Sequence, residues 1–232
     1  MCGRFVQFSS LRTLEAHFPI DSIAGGVNAS YNVAPTQEVL TIIHQDGHRL
    51  EKLRWGLVPS WAKDLAGASR LINARTETAA QKPSFRAAFK RRRCLVMADG
   101  FYEWQGEKGN KQPYFIALPS KRPFAFGGLW ETWKSKDASA EDPVYKSCTI
   151  LTIAASESIQ AIHHRMPVIL QPEAYEDWLD PEIHDADRLA VVLQNNRVRQ
   201  VHYYPVSKMV NRVQNNSAEN IKPLYRINRR SL

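Results

Sequence analysis

The sequence is poor in cysteine and has no long apolar run. Its three cysteines, at positions 2, 94 and 148, show neither CxxC spacing nor a histidine pair at zinc-finger spacing. An odd number without such spacing excludes a disulfide framework and a zinc site. No stretch of the chain approaches the ~20 apolar residues of a membrane span. We therefore expect no metal, no organic cofactor and no membrane association.

A secretory signal is also missing, because the chain does not open with a basic stretch followed by an apolar run. We therefore expect Cys2 to become the first residue of the mature chain. We place the protein in the reducing cytoplasm, where the thiol of Cys2 stays free. Cys94 and Cys148 lie in apolar runs and are interpreted as core residues.

Acidic residues are fewer than basic ones. Lysine and arginine total 31 against 23 acidic residues, which gives a formal net charge of +8. Basic residues cluster at 90–93 and again at 226–230. An excess of this kind favours a polyanionic partner, and nucleic acid is the leading one.

Low-complexity blocks and linkers are absent, so the 232 residues are expected to form one domain. Short β-type runs recur at residues 39–43, 53–58, 93–98, 114–117, 124–129, 149–154 and 203–206. Helical periodicity is limited to residues 11–18, 172–179 and 185–193. Strands that outnumber helices, without regular βα alternation, predict an α+β fold on antiparallel or mixed sheets.

Cys2 is the residue with the most distinctive chemistry. Once Met1 is removed, Cys2 carries an α-amine and a thiol, and this aminothiol can close a five-membered thiazolidine ring around an aldehyde. An α-amino group titrates at roughly 7.7–8.0, so more of it is unprotonated near neutrality than of a lysine. The pair therefore indicates an aldehyde substrate.

Several segments are polar where a purely structural strand or turn does not require it. They are CGRF (2–5), YNVAP (31–35), LINARTET (71–78), DGFYEW (99–104) and IHHRMP (162–167), together with WGLVPSWA (55–62). In this order, and with cysteine at position 2, they closely resemble the SRAP family. These SOS-response-associated peptidase proteins crosslink to abasic sites in single-stranded DNA. The resemblance covers nearly the whole chain.

The resemblance implies an SRAP domain over residues 2–225, with a barrel-like β core and a few short helices, and a basic tail over 226–232. It also implies a sensor that bonds through Cys2 to the aldehyde of a ring-opened abasic deoxyribose and shields the lesion during the DNA damage response. Removal of Met1 would be autocatalytic. We expect a monomer that associates with the nucleoid when DNA is damaged.

By this resemblance the catalytic set is Cys2, Asn73, Glu103 and His163. Histidine suits protonation of the sugar ring oxygen, and a partly buried carboxylate can shuttle protons beside the amine and thiol. Asn73 can orient the amine or a sugar hydroxyl without adding charge. His164 stands where the family often has aspartate, so the role of that aspartate is not carried over.

Arg4, Arg75 and Arg165 are predicted phosphate ligands, because a guanidinium binds phosphate oxygens bidentately and stays charged when partly buried. A structural salt bridge to Glu77 or Glu131 is the alternative for these arginines.

Trp61 and Trp104 are predicted to stack on unpaired bases. Two other functions stay open from the residues alone. One is an N-terminal-nucleophile amidase or cysteine peptidase, in which Cys2 attacks an amide with His163 or Glu103 as base. The other is a noncovalent single-strand DNA-binding module in which Cys2 is incidental.

Overall fold

Strands make up most of the regular structure. The computed structural model describes residues 2–107, 109–135, 137–139 and 141–224, so the predicted tail and residue 225 lie outside the described residues. The strands are β1 (Phe5–Gln7), β2 (Ser22–Ala24), β3 (Ser30–Val33), β4 (Glu38–His44), β5 (His48–Trp55), β6 (Asn73–Arg75), β7 (Arg93–Ala98), β8 (Gly100–Gln105), β9 (Gln112–Ala117), β10 (Phe124–Trp133), β11 (Tyr145–Ala154), β12 (Arg165–Pro167), β13 (Ile169–Leu170) and β14 (His202–Pro205).

The helices are few and short, which confirms the predicted α+β class. They are α1 (Leu11–Glu15), α2 (Thr76–Ala79), α3 (Arg86–Arg91), α4 (Tyr175–Leu179) and α5 (Ala186–Asn195), with 3-10 turns at Ala68–Arg70, Pro172–Ala174, Lys208–Asn211 and Ala218–Ile221. The side chains of Ser10 and Asp185 cap α1 and α5 by accepting a backbone N–H. None of these helices is long and apolar enough to cross a membrane.

Five strands close into a barrel, as the resemblance implied. β4 pairs with β5 and β7, and β10 pairs with β7 and β11. A parallel pairing of Ser147 and Cys148 on β11 with Arg54 and Trp55 on β5 completes the ring. Closure of this kind leaves no free edge in the ring itself.

Beyond the closure, β11 carries a short strand on each side. Ile150 of β11 pairs with Asn73 of β6, and Ala154 pairs with Arg165 of β12. The barrel therefore brings two of the polar sequence segments, 71–78 and 162–167, to the two flanks of one strand.

A second sheet, in the order β14-β9-β8-β1-β3, packs on the barrel through aromatic rings. Phe5 of β1 contacts Trp55 and Phe126 edge to face, with ring centroids 5.0 and 5.7 Å apart. Phe101 of β8 contacts Phe126 at 5.9 Å. Each such pair contributes about 0.5–1.5 kcal/mol beyond the area it buries, so these rings fix the N-terminal strand against the barrel.

The predicted strand at 53–58 had wrong bounds. The run at 53–58 is the end of β5, which starts earlier, at His48, and stops at Trp55. Gly56 ends it with a φ of +132°, and a Cβ there would lie 2.7 Å from the carbonyl oxygen of Ala68. Only glycine adopts this backbone without strain, and the chain turns away from the barrel at this point.

Arg93 is a buried cation that joins the barrel to two helices. It donates to the carbonyl oxygens of Phe89, Lys90, Trp178 and Asp180, which lie at the C-terminal ends of α3 and α4. Burial lowers its pKa to about 10, so the group remains a cation at neutral pH. Helix-end carbonyls have no partner within their own helix, and Arg93 supplies one.

Replacing Arg93 with methionine is therefore expected to lower the free energy of unfolding by about 3 kcal/mol or more, since each buried carbonyl left without a donor costs about 1–3 kcal/mol. Urea denaturation followed by circular dichroism measures the loss. Arg91→Met, at an exposed position of α3, is the control and should change stability by less than about 0.5 kcal/mol. Equal losses in the two variants would contradict this role for Arg93.

Candidate active site

Cys2 lies just before β1 and is fully buried. It belongs to the hydrophobic cluster that contains Phe5, Phe101 and Ile159. Burial, and next the negative charge of Glu103, raise the pKa of the Cys2 thiol. The thiol is therefore protonated at rest, and it needs a base before it can act as a nucleophile.

Asn73 holds Cys2 from the flank of the barrel. Its Nδ2 donates to the carbonyl oxygen of Cys2 at 2.7 Å. The pairing of β6 with β11 fixes the backbone of Asn73, so this contact ties Cys2 to the barrel wall. The Oδ1 of Asn73 is buried and accepts no hydrogen bond within the described part of the chain. One acceptor is thus available beside Cys2.

Glu103 lies on β8, close enough to Cys2 for its charge to act on the thiol. Alternation along a strand puts Phe101 and Glu103 on one face of the sheet and Tyr102 on the other. Phe101 packs in the cluster that contains Cys2, and Glu103 is only 4% exposed. Burial raises the pKa of Glu103, so its acid form persists to higher pH than in a free glutamate.

His163 ends a turn that contacts β8. The side chain of Gln105, two residues beyond Glu103, donates to the carbonyl oxygen of Ala161 at 2.9 Å and holds this turn in place. The Nδ1 of His163 lies 3.0 Å from the backbone N of Arg165 and 3.1 Å from its carbonyl oxygen, so it accepts from the N–H in one tautomer and donates to the carbonyl in the other. Burial lowers the pKa of His163, so the imidazole is neutral at pH 7.

Lys111 provides a second link between these groups. Burial raises the pKa of Glu103, and the positive charge of Lys111 opposes part of that rise. Burial lowers the pKa of His163, and the same charge lowers it slightly further. The structure thus gathers Cys2, Asn73 and Glu103 by contact and charge, and it brings His163 beside them on an adjoining turn.

The three arginines predicted to bind phosphate differ in environment. Arg75 is exposed on β6, two residues from Asn73. Arg4 is half-buried and its Nη1 donates to Asn32 Oδ1 at 2.7 Å and to the carbonyl oxygen of Val210 at 2.8 Å. Of these two, Arg75 is the side chain that solvent reaches freely.

Arg165 is buried and forms the salt bridge that the sequence left as an alternative. Its Nη1 and Nη2 donate to the two carboxylate oxygens of Glu77 at 2.6 and 2.9 Å, and Nη2 also donates to the carbonyl oxygen of Thr152. The bond to Arg165 is the main reason why the pKa of Glu77 is lowered. A phosphate would have to compete with Glu77 for this guanidinium.

The two tryptophans predicted to stack on bases are not equally accessible. Trp61 is 63% exposed, on a loop anchored where Trp133 Nε1 donates to the carbonyl oxygen of Ala62 at 2.8 Å. Trp104 is half-buried, and its Nε1 donates to Asn211 Oδ1 at 2.8 Å. Trp61 therefore presents a free aromatic face, whereas Trp104 packs beside the loop that contains Asn211.

The loop at residues 208–216 is a part of the site that sequence reasoning missed. The fully buried Asn32 holds it, because Nδ2 of Asn32 lies within hydrogen-bond distance of the carbonyl oxygens of Val210, Arg212 and Asn215. Asn32 also accepts the Arg4 bond, so the loop lies next to the strand that follows Cys2. Two features of the sequence could have indicated this loop. One is the asparagine inside the YNVAP segment, and the other is the polar run at residues 208–216.

The described part of the chain contains no candidate metal centre. Within residues 2–107, 109–135, 137–139 and 141–224, no set of three His, Cys, Asp or Glu side chains could hold a metal ion.

The chain is similar to proteins named for abasic site processing. It is 44% identical to the abasic site processing protein YoqW of Bacillus subtilis over 226 residues, which covers 96% of this chain and 99% of that protein. It is 32% identical to YedK of Escherichia coli, over 97% of this chain and 100% of that protein. The corresponding protein HMCES of Gallus gallus is 33% identical, over 86% of this chain and 68% of that protein.

The fold is also found in solved structures. A crystal structure of a protein from Bacteroides thetaiotaomicron matches with a TM-score of 0.79 at 22% identity, over 97% of this chain and 100% of that one. Residues 1–213 match the family model described as SOS response associated peptidase (SRAP). Because this match spans most of the sequence, the chain belongs to the SRAP family.

Proposed function

We propose that this protein processes abasic sites in single-stranded DNA by forming a covalent thiazolidine with the aldehyde of the ring-opened sugar. The observation that carries the proposal is the gathering of Asn73 and Glu103 around Cys2. Relatives at 32–44% identity that are named abasic site processing proteins support it.

The reaction begins with the sugar, which is mostly a closed hemiacetal. His163 takes the proton of the anomeric hydroxyl and gives a proton to the ring oxygen, so the C–O bond of the ring breaks, the aldehyde forms and the imidazole ends neutral as it began. A neutral imidazole suits this step, because it carries one proton to give and one nitrogen that can take a proton back.

The amine of Cys2 then attacks the aldehyde carbon and gives a carbinolamine. Glu103, as the acid, protonates the carbinolamine hydroxyl, one water leaves, and an iminium ion remains. The resulting carboxylate takes the proton of the Cys2 thiol, and the thiolate closes the ring. The balance is one aldehyde and one aminothiol to one thiazolidine and one water, with no oxidant or reductant.

The raised pKa values fit this order of events. A thiol with a raised pKa does not attack first, so the amine forms the first bond. A carboxyl group with a raised pKa is both a donor for the dehydration and, after it, the base for the thiol. Asn73 acts as a positioning residue, with Nδ2 on the Cys2 carbonyl and Oδ1 as the acceptor for the amine.

Cys2→Ser is expected to abolish the heat-stable adduct on single-stranded DNA with an abasic site. The variant keeps the amine, so borohydride should still trap its iminium ion with the aldehyde. Denaturing gels run with and without borohydride measure both products. A heat-stable adduct from Cys2→Ser would refute the thiazolidine. Wild-type protein that binds the DNA but forms neither product would favour the noncovalent binding module.

The control for this experiment is processed protein whose α-amine has been acetylated, which has no free amine on Cys2 and should form no adduct. We propose that the chain releases Met1 itself. The Cys2 thiol attacks the Met1 carbonyl carbon, the peptide C–N bond breaks to give a thioester and the free Cys2 amine, and water hydrolyses the thioester to methionine and the thiol. Translation with an inhibitor of methionine aminopeptidase, followed by intact mass spectrometry, tests this step. Wild type should lose Met1 and Cys2→Ala should keep it. Loss of Met1 from both, or from neither, would contradict self-processing.

Glu103 and His163 should be separable by substrate. Glu103→Gln is expected to slow crosslinking by about 10²-fold or more on both an ordinary abasic site and an acyclic aldehyde analogue, since general acid–base catalysis contributes about 10²–10⁴-fold. His163→Ala should slow only the reaction of the ordinary site, because the analogue has no ring to open. Single-turnover crosslinking rates provide the comparison. An equal effect of His163→Ala on both substrates would remove it from ring opening.

Contacts to the strand are proposed for Arg75 and Trp61, the two exposed members of the predicted set, with the less exposed Arg4, Arg165 and Trp104 as further members. Arg75 lies on the strand that begins with Asn73, so a phosphate next to the lesion can reach it. Trp61 provides a flat apolar surface to an unpaired base.

Trp61→Ala and Arg75→Gln should weaken DNA binding in different ways. Trp61→Ala should cost about 5- to 160-fold in affinity without changing the salt dependence, as expected for the loss of about 1–3 kcal/mol of stacking. Arg75→Gln should reduce the slope of log K against log salt by about 0.7, the value for one phosphate contact in a single strand. Tyr203→Ala, at another exposed aromatic residue, is the control. Unchanged affinity and slope in both variants would contradict these contacts.

A further inference from the structure

A second groove lies on the other side of the turn that ends at His163. It consists of two adjoining cavities of about 740 and 470 Å³ that share Arg197 and Arg199 in their walls. Lys90, Ser156, Ser158 and Gln194 also line it. We call it the arginine groove.

Arg197 lacks a partner for one of its donors. Its Nε is buried and makes no hydrogen bond to any described residue. Burial lowers the pKa of Arg197, and the charge of Arg199 lowers it further, so the two guanidinium groups repel each other. A buried donor without an acceptor costs about 1–3 kcal/mol, and an anion between the two arginines would relieve both penalties.

The acidic side chains on the groove do not neutralise these arginines. Glu77 is bound to Arg165, and Asp187 and Glu157 are exposed at the rim. No ion pair joins any carboxylate of the described residues to Arg197 or Arg199. Two cations therefore stay available to a ligand.

The backbone beneath the arginines is fixed in advance. Val198 donates its N–H to the carbonyl oxygen of Ile169 at 2.8 Å, and Leu170 forms a bridge with Arg197. Ser158 Oγ donates to the carbonyl oxygen of Arg199 at 3.0 Å. Because these contacts hold the main chain, binding an anion requires only that the arginine side chains become ordered.

The groove and the candidate active site share a wall. The turn that begins at Ser156 lines the groove, and at its far end it carries His163. Ile159 of this turn packs in the cluster that contains Cys2. A strand leaving the active site past His163 therefore meets the arginine groove next.

We propose that the arginine groove binds phosphate groups of the DNA strand that carries the abasic site, at positions beyond the lesion nucleotide. This inference rests on the proposed function for its ligand. Guanidinium groups bind phosphate oxygens bidentately, and the side-chain amide of Gln194 adds a neutral hydrogen-bond donor. The groove thus extends the binding surface and does not enter the chemistry at Cys2.

The test uses Arg197→Gln/Arg199→Gln and DNA that carries a tetrahydrofuran site, which has no aldehyde and cannot crosslink. Equilibrium binding is measured against salt for a long oligonucleotide and for a short one that spans only the lesion. For the long DNA, the slope of log K against log salt should fall by about 1.4, as expected for two single-strand phosphate contacts. The short DNA should bind the variant and the wild type alike.

Arg12→Gln/Arg49→Gln is the control, because it removes the same charge from α1 and β5. A fall of equal size in the control, or an equal effect on short and long DNA, would overturn the proposal. The proposal would also fail if the groove bound inorganic phosphate but the double variant showed the wild-type slope of log K against log salt on the long DNA. Should the double variant melt early, Arg199→Gln alone, at an exposed position, is expected to lower the slope by about 0.7.

Crosslinking of the short oligonucleotide with an intact abasic site separates this inference from the proposed function. The double variant should crosslink it at the wild-type rate. If the wild type forms no adduct, the proposed function fails, while the salt dependence on the tetrahydrofuran DNA still decides whether the groove binds phosphate.

Discussion

The packing of the N-terminal strand against the barrel is the constraint on which the rest of the structure depends. Phe5 lies between Trp55 and Phe126, so the residue three positions earlier, Cys2, has little freedom. The Asn73 contact to the Cys2 carbonyl then fixes its backbone. Chain termini are ordinarily mobile, and a reactive group at a terminus gains in rate when its position is fixed.

Fixing the terminus by burial has an electrostatic consequence. Burial raises the pKa of both the Cys2 thiol and the Glu103 carboxyl group, and the negative charge of Glu103 raises the pKa of the thiol further. The thiol therefore holds its proton at rest, and the acid form of Glu103 persists to higher pH than in a free glutamate. Such a pair is poorly suited to a thiolate that attacks first, but it suits a sequence in which an amine opens the reaction and the protons move afterwards.

The sequence predicted most of the strands that are buried along their length and missed most of those that are polar or very short. Runs such as 93–98 and 124–129 are buried throughout, so their composition alone shows them. The start of β5 at His48 and Arg49 was not predicted, because these residues are polar and only partly buried and therefore interrupt the apolar pattern of a strand. The chemistry proposed for Cys2 rests on its position and motif. Its contact with Asn73 depends on a parallel pairing between segments far apart in the chain, which no local pattern encodes.

The arginines of this chain show that net charge alone does not locate a binding surface. Arg93 and Arg165 are buried, and their guanidinium groups satisfy helix-end carbonyls and the carboxylate of Glu77. A buried and partnered cation does little to attract DNA, since its field is already compensated at close range. The electrostatic attraction must come from arginines that keep their charge exposed or unmatched. Arg75 does so beside the reactive terminus, and Arg197 and Arg199 do so across the turn that carries His163. The charges free to attract DNA therefore lie on both sides of that turn, and a strand held by both would pass directly over the site at Cys2.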